Sequence, residues 1–126
     1  MRKNLIFGLL ALAALASALP SRAAGNASAG ADVFEQECAE CHSNKAGKNK
    51  KGPSLFGVVG RKAASVADFT NYSEAMKAAT HTWTAENIAS YVKAPKAFVP
   101  GGRMKYDGLA EDKARNDLVA YLATLH

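Results

Sequence analysis

Apolar positions along this chain recur mostly at helical spacing, and no good strand run interrupts them. Val33, Phe34, Cys38 and Cys41 share one face of a first helix, which is expected to start near Asn26 to Ser28, both good N-caps. Acidic residues in its early turns suit the helix dipole. Residues 43–62 are rich in Lys, Gly and Asn, contain Pro53, and read as irregular loop. Ser73 can cap a short helix through Ala79. Thr84 can cap another, with Ile88, Tyr91 and Val92 on one face, ending before Pro95. Residues 94–105 hold Pro95, Pro100, Gly101 and Gly102 and are expected to be loop. Ala114, Leu118, Tyr121, Leu122 and Leu125 mark a last helix over about residues 110–125. The pattern predicts an all-α domain with long loops.

The chain starts differently. Arg2 and Lys3 precede an uncharged, mostly Leu and Ala run from Leu5 to Leu19, followed by small residues. This reads as a secretory signal peptide over residues 1–23, cleaved near Ala23 or Ala24. The run is short for a membrane span, which argues against an uncleaved anchor. Residues 24–126 then form one small domain with a limited core of its own.

Removing the leader changes the charge. The full chain has 16 Lys and Arg against 11 Asp and Glu; without Arg2, Lys3 and Arg22 the balance is 13 to 11. Its distribution is uneven. Residues 24–41 carry −4, residues 42–105 carry +8, and the tail carries −2. Such a dipolar surface can steer an acidic protein partner. No basic nucleic-acid-binding motif is recognisable, so nucleic acid is not an expected partner.

The chemistry concentrates in Cys38-Ala39-Glu40-Cys41-His42, which holds both cysteines of the chain. C-x-x-C-H is the attachment pattern of a c-type haem. On a helix, positions i and i+3 share a face, so both thiols can reach one haem edge while the histidine offers a nitrogen to iron. Competing readings are weaker. Structural zinc needs four ligands, and outside this cluster only His81 and His126 remain among the histidines. A thioredoxin-like pair belongs in a βαβ setting. A disulfide closing so small a loop would stabilise little.

With His42 on one side of the iron, the sixth position falls to Met76, Met104, His81, His126, a lysine, or nothing. Met104 follows Pro100-Gly101-Gly102-Arg103, a turn that can push a side chain inward. Methionine in isolation is more often core filling.

Across residues 24–126 the chain resembles a class I cytochrome c of the cytochrome c2 and mitochondrial cytochrome c type. The resemblance rests on Cys38-x-x-Cys41-His42, the run GPSLFGVVGR from Gly52 to Arg61, and Tyr72-Ser73. It continues through Trp83, Tyr91, Pro95, Pro100-Gly101 and Met104 to DLVAYL from Asp117 to Leu122. It implies about four or five helices with loops wrapped around one haem c, covalently attached through Cys38 and Cys41. It also implies His42 and Met104 as the metal ligands, with the Pro53 carbonyl fixing the imidazole. Arg61, Tyr72 and Trp83 would donate to a buried haem propionate, and Tyr91 would lie near the Met104 sulfur. Gly30 and Phe34 would pack against Leu118 and Tyr121. Two positions depart from the pattern. Gly102 stands where a threonine is common, so the loop is expected to be more flexible. Met76 stands where the mitochondrial type has asparagine, so the interior is expected to be drier.

The function implied is a monomeric, soluble periplasmic electron carrier that is not an enzyme and has no catalytic residues. Its implied donor is a cytochrome bc1 complex; its acceptor is a terminal oxidase or a photosynthetic reaction centre. Lys45, Lys48, Lys62, Lys96 and Lys105 are expected around the exposed haem edge, where they would dock acidic partners. Two alternatives stand beside this reading. One is a small haem enzyme, a peroxidase or gas binder, with a labile sixth ligand. The other is a dedicated electron acceptor for a periplasmic dehydrogenase.

Overall fold

The computed structural model describes residues 25–126. The leader reading of residues 1–23 therefore lies outside the described residues. Five helices follow in order: α1 Ala27–Glu37, α2 Glu74–Ala78, α3 Ala85–Lys93, α4 Pro95–Phe98 and α5 Asp112–Leu122. Among the described residues there is no strand, only one isolated antiparallel bridge between Lys62 and Thr82.

Three of the expected N-caps form. The Asn26 side chain accepts from Ala29 N at 3.0 Å, Ser73 from Met76 N at 3.0 Å, and Thr84 from Asn87 N at 3.1 Å. Each satisfies a helix-end N–H that would otherwise lack a partner.

Three expectations need correction. α1 stops at Glu37, so Cys38 to Cys41 lie beyond it. They still curl, because Cys41 N and His42 N both bond Cys38 O, at 3.1 and 2.9 Å. The i, i+3 spacing thus works through a turn rather than a helix face. Within the expected loop 94–105, Pro95–Phe98 forms a helical turn. Pro95 ends α3 but then occupies the first position of α4, where its missing N–H costs nothing. α5 is shorter at both ends than the apolar pattern suggested.

α1 and α5 pack closely. A Cβ on Gly30 would lie 1.9 Å from the Asp117 carbonyl oxygen, so only glycine permits this approach. Phe34 and Leu118 are the most deeply buried side chains, and Phe34 also meets Tyr121 at a ring-centroid distance of 5.6 Å. Asp117 adds a polar fastening. Its buried carboxylate accepts from Asn26 N at 2.7 Å and from Lys113 Nζ at 2.6 Å.

The apolar core is small: Phe34, Val58, Trp83, Ile88, Leu118 and Leu122. Loops complete the shell. Gly57 N bonds Leu125 O at 2.6 Å, and Asn44 Nδ2 donates to the Tyr121 hydroxyl at 2.8 Å, tying the loop after α1 to the C-terminal end. No helix among the described residues is long and apolar enough to cross a membrane.

Candidate haem-binding site

The small core borders a cavity of about 620 Å³, within the range of cofactor sites. Its wall brings together Cys38, Cys41, His42, Pro53, Arg61, Tyr72, Trp83, Tyr91 and Met104, drawn from loops and helices more than sixty residues apart. Met76 from α2 also lines it. His81 and His126 do not. His81 packs edge-on against Trp83 and Phe98, at 4.3 and 5.1 Å, with a buried Nε2 that has no hydrogen-bond partner among the described residues. The exposed His126 holds to Ala123 O at 3.1 Å.

The attachment turn is braced from one side. Gly52 N bonds Cys41 O at 2.8 Å, Lys50 Nζ bonds Ala39 O, and Lys51 pairs with Glu40 at 3.1 Å. This lays the Gly52–Pro53 backbone flat against the His42 ring. A Cβ on Gly52 would stand 2.3 Å from His42 Cε1. His42 Nδ1 donates to the Pro53 carbonyl at 2.7 Å, which assigns the proton to that nitrogen and leaves Nε2 as the free lone pair. Burial holds the His42 pKa below its usual value, against the Pro53 hydrogen bond, which favours the charged form. The ring is therefore neutral, as a metal ligand must be. Cys38 and Cys41 are not joined to each other by a disulfide, and burial pushes the Cys38 pKa up to about 12.

The far wall supplies donors. Arg61 lends one nitrogen to Ser54 O at 3.0 Å and Phe56 O at 3.3 Å. Burial lowers its pKa from the usual arginine value. The Tyr72 hydroxyl accepts from Val66 N at 3.2 Å, which leaves its proton to donate elsewhere. Trp83 is buried and lines the cavity, and its indole N–H is a donor only. Burial raises the Tyr91 pKa to about 12, so its hydroxyl stays protonated. A cavity with two thiols at one edge, one imidazole, one thioether and several N–H and O–H donors fits an amphipathic, carboxylate-bearing iron porphyrin.

A family model described as Cytochrome c matches residues 27–126. The chain belongs to the cytochrome c family. It is 44% identical to a cytochrome c2 of Blastochloris viridis over 123 residues, covering 97% of this chain and 92% of that one. It is 42% identical to a cytochrome c of Arabidopsis thaliana over 99 residues, covering 78% and 88%. A solved structure, cytochrome cH from Methylobacterium extorquens, superposes with a TM-score of 0.73 at 39% identity, over 79% of this chain and 99% of that one. As a cytochrome c the chain carries one covalent haem c through Cys38 and Cys41. It is an electron carrier working with redox proteins, and not an enzyme. His42 and Met104 reach one cavity, consistent with His/Met ligation of its iron.

Some features of the site were not foreseen. Of the five lysines expected at the haem edge, only Lys105 lines the cavity. Its exposed rim mixes signs: Lys51, Arg103 and Lys105 against Glu37 and Glu40. Lys96 is paired with Asp107 at 3.1 Å. The steric role of Gly52 was also missed. Its place just before Pro53 in the GPSLFGVVGR run was the available signal. Nothing local announced that Tyr106 reaches Glu37 or that Arg103 reaches Asn71.

Proposed function

We propose that this chain is a periplasmic electron shuttle in which His42 and Met104 are the axial ligands. The observation that carries the reading is the shared cavity. His42 enters it with Nε2 free, Met104 enters it from a distant loop, and the two attachment thiols stand beside His42. Bound there, the haem supplies reversible one-electron exchange at iron.

The chain's own residues do the rest. Pro53 holds the imidazole in one tautomer. Arg61, Tyr72 and Trp83 offer donors to the cofactor's carboxylates, whose burial would otherwise be costly. Tyr91 keeps a protonated hydroxyl among the cavity's apolar walls. The soft Met104 thioether and the apolar lining both favour Fe(II), which raises the reduction potential. With His42 and Met104 both holding the iron, no position would be left for substrate at the metal.

The leader over residues 1–23 supports export, and the similarity to a cytochrome c2 extends into it. The proposed donor is a cytochrome bc1 complex; the proposed acceptor is a terminal oxidase or a photosynthetic reaction centre. Docking is electrostatic and weak, suited to rapid release. On the mixed rim, Lys51, Arg103 and Lys105 would supply the basic contacts.

Ferric holoprotein tests the ligation. It should show the weak near-infrared sulfur-to-iron band. Met104→Ala should abolish that band and Met76→Ala should keep it; the reverse would exchange the two methionines.

A further inference from the structure

The segment that carries Met104 is held in an unusual way. Among the described residues, no backbone–backbone hydrogen bond involves residues 103–108. The backbone anchors stand outside it, at Gly102 N to Val99 O (3.0 Å) and Leu109 N to Val92 O (2.9 Å). Glycines mark both ends. Gly101 and Gly108 sit at φ +84° and +114°, and Gly102 adds a third glycine. Backbone hydrogen bonding alone does not tie this stretch to the cavity wall.

Side chains supply the fastening. Arg103 Nη1 donates to Asn71 Oδ1 at 2.6 Å and, at 3.4 Å, to the Asn71 carbonyl. The Tyr106 hydroxyl donates to Glu37 Oε2 at 2.6 Å. Asn71 precedes Tyr72 on one wall of the cavity; Glu37 precedes Cys38 on another. Met104 therefore lies between two straps, each with one charged partner, the stronger kind of hydrogen bond. Lys96 to Asp107 is a third link, but both side chains are largely exposed, and such pairs contribute little.

We propose that Arg103 and Tyr106 are positioning residues that keep Met104 over the cavity by tying its segment to Asn71 and Glu37. The inference rests on Met104 being the sixth ligand. The straps stand in for backbone bonding that the glycines leave out. They hold the thioether in place without making the loop rigid.

The test uses ferric holoprotein titrated with imidazole, which competes for the position Met104 holds. Loss of the sulfur-to-iron band reports the exchange. Tyr106→Phe and Glu37→Ala should each tighten apparent imidazole binding by about tenfold, the effect of one charge-assisted hydrogen bond. The double variant should be no tighter than either single one, because both remove the same bond. Arg103→Gln should act similarly, and Arg103→Lys should recover part of the wild-type value. Circular dichroism should be unchanged in all of them, since these side chains lie at the cavity rim. If the band is present and responds to Met104→Ala, yet every strap variant binds imidazole as wild type does, the straps are overturned while the ligand assignment stands. Additive effects of Tyr106→Phe and Glu37→Ala would likewise overturn the Tyr106 strap. If wild-type protein lacks the band, or keeps it in Met104→Ala, the ligand assignment falls and the inference falls with it.

Discussion

Gly52 is the position where one added methyl group should do the most damage to the metal site. An alanine Cβ there would stand 2.3 Å from His42 Cε1 and 2.7 Å from Nδ1. Ordinary contact begins at 3.4 Å, so ring and backbone must part by about 1.1 Å. Pro53 is the next residue, and its carbonyl is 2.7 Å from His42 Nδ1. A separation of that size carries the bond past the usable limit of about 3.5 Å. The relief of the clash is thus the loss of the hydrogen bond. Overpacking costs about 1–3 kcal/mol, and a buried N–H without its acceptor costs about 1–3 kcal/mol more. Together Gly52→Ala should cost about 2–6 kcal/mol, a large share of the roughly 5–15 kcal/mol that holds a small domain folded.

Two measurements check this. Guanidinium denaturation of the ferric holoprotein should show the loss of stability. The ring-proton NMR signal of His42 Nδ1–H should shift or broaden as its bond to Pro53 weakens. Gly52 is not at positive φ, so alanine adds no backbone strain to confuse the result. Gly60→Ala is the complementary control: its φ is +89°, and nothing lies within 4 Å of the new Cβ. It should cost about 1–2 kcal/mol through backbone strain and leave the His42 signal alone. A Gly52→Ala protein within about 0.5 kcal/mol of wild type, with an unmoved His42 signal, would refute the account.

Other outcomes follow from the same packing. Leu118→Ala, in the most buried part of the α1 and α5 contact, should cost about 2–5 kcal/mol by denaturant midpoint while the sulfur-to-iron band survives in the remaining folded protein. The Lys113 and Asn26 hydrogen bonds hold the Asp117 carboxyl below its usual value of 3.8, so its contribution is present above that pH and lost as pH falls through the lower, folded-state value. Asp117→Asn should therefore be less stable than wild type at pH 7, with the gap closing in acid, and a gap that is constant with pH would contradict this. Electron transfer to an acidic redox partner should slow as ionic strength rises, and Lys105→Glu should slow it more than Lys62→Glu, because Lys105 alone of the two lines the cavity. A Cys38→Ala, Cys41→Ala chain without haem should be largely unfolded by circular dichroism, and haem added non-covalently should restore much of the helix signal.

What could be read from the sequence was mostly local. Asn26, Ser73 and Thr84 cap the helices because each bonds an N–H three residues on. The apolar spacing of the last helix survives as α5. The attachment motif is five consecutive residues. Misreadings occurred where distant parts of the chain decide. α1 ends at Glu37 as its last turn gives way to the tight Cys38–Cys41 turn, braced by Lys50, Lys51 and Gly52 from another loop. Pro95 signals only a stop in the sequence pattern, although it also starts a helical turn. Asp117 bonds Asn26 N across 91 positions, and Tyr106 meets Glu37 across 69. No periodicity encodes such pairs. The charge sum along residues 42–105 likewise could not say which lysines reach the rim.

The nine residues pointed out by resemblance reach one cavity for a reason that joins site to fold. The buried apolar cluster is small, and five of its six members, Val58, Trp83, Ile88, Leu118 and Leu122, also line the cavity wall. The core and the binding site are therefore nearly the same object. A domain of this size has little apolar burial to spare. Long loops normally weigh against a compact fold, but loops that converge on a shared cavity pack on what fills it. This explains why the chain tolerates so many glycines near Met104 and so few backbone hydrogen bonds there. Order that the backbone does not supply there comes from two side-chain hydrogen bonds, Arg103 to Asn71 and Tyr106 to Glu37. The arrangement should also make stability and haem binding respond to the same substitutions, since His42 and Met104 line the cavity that most of the core residues share.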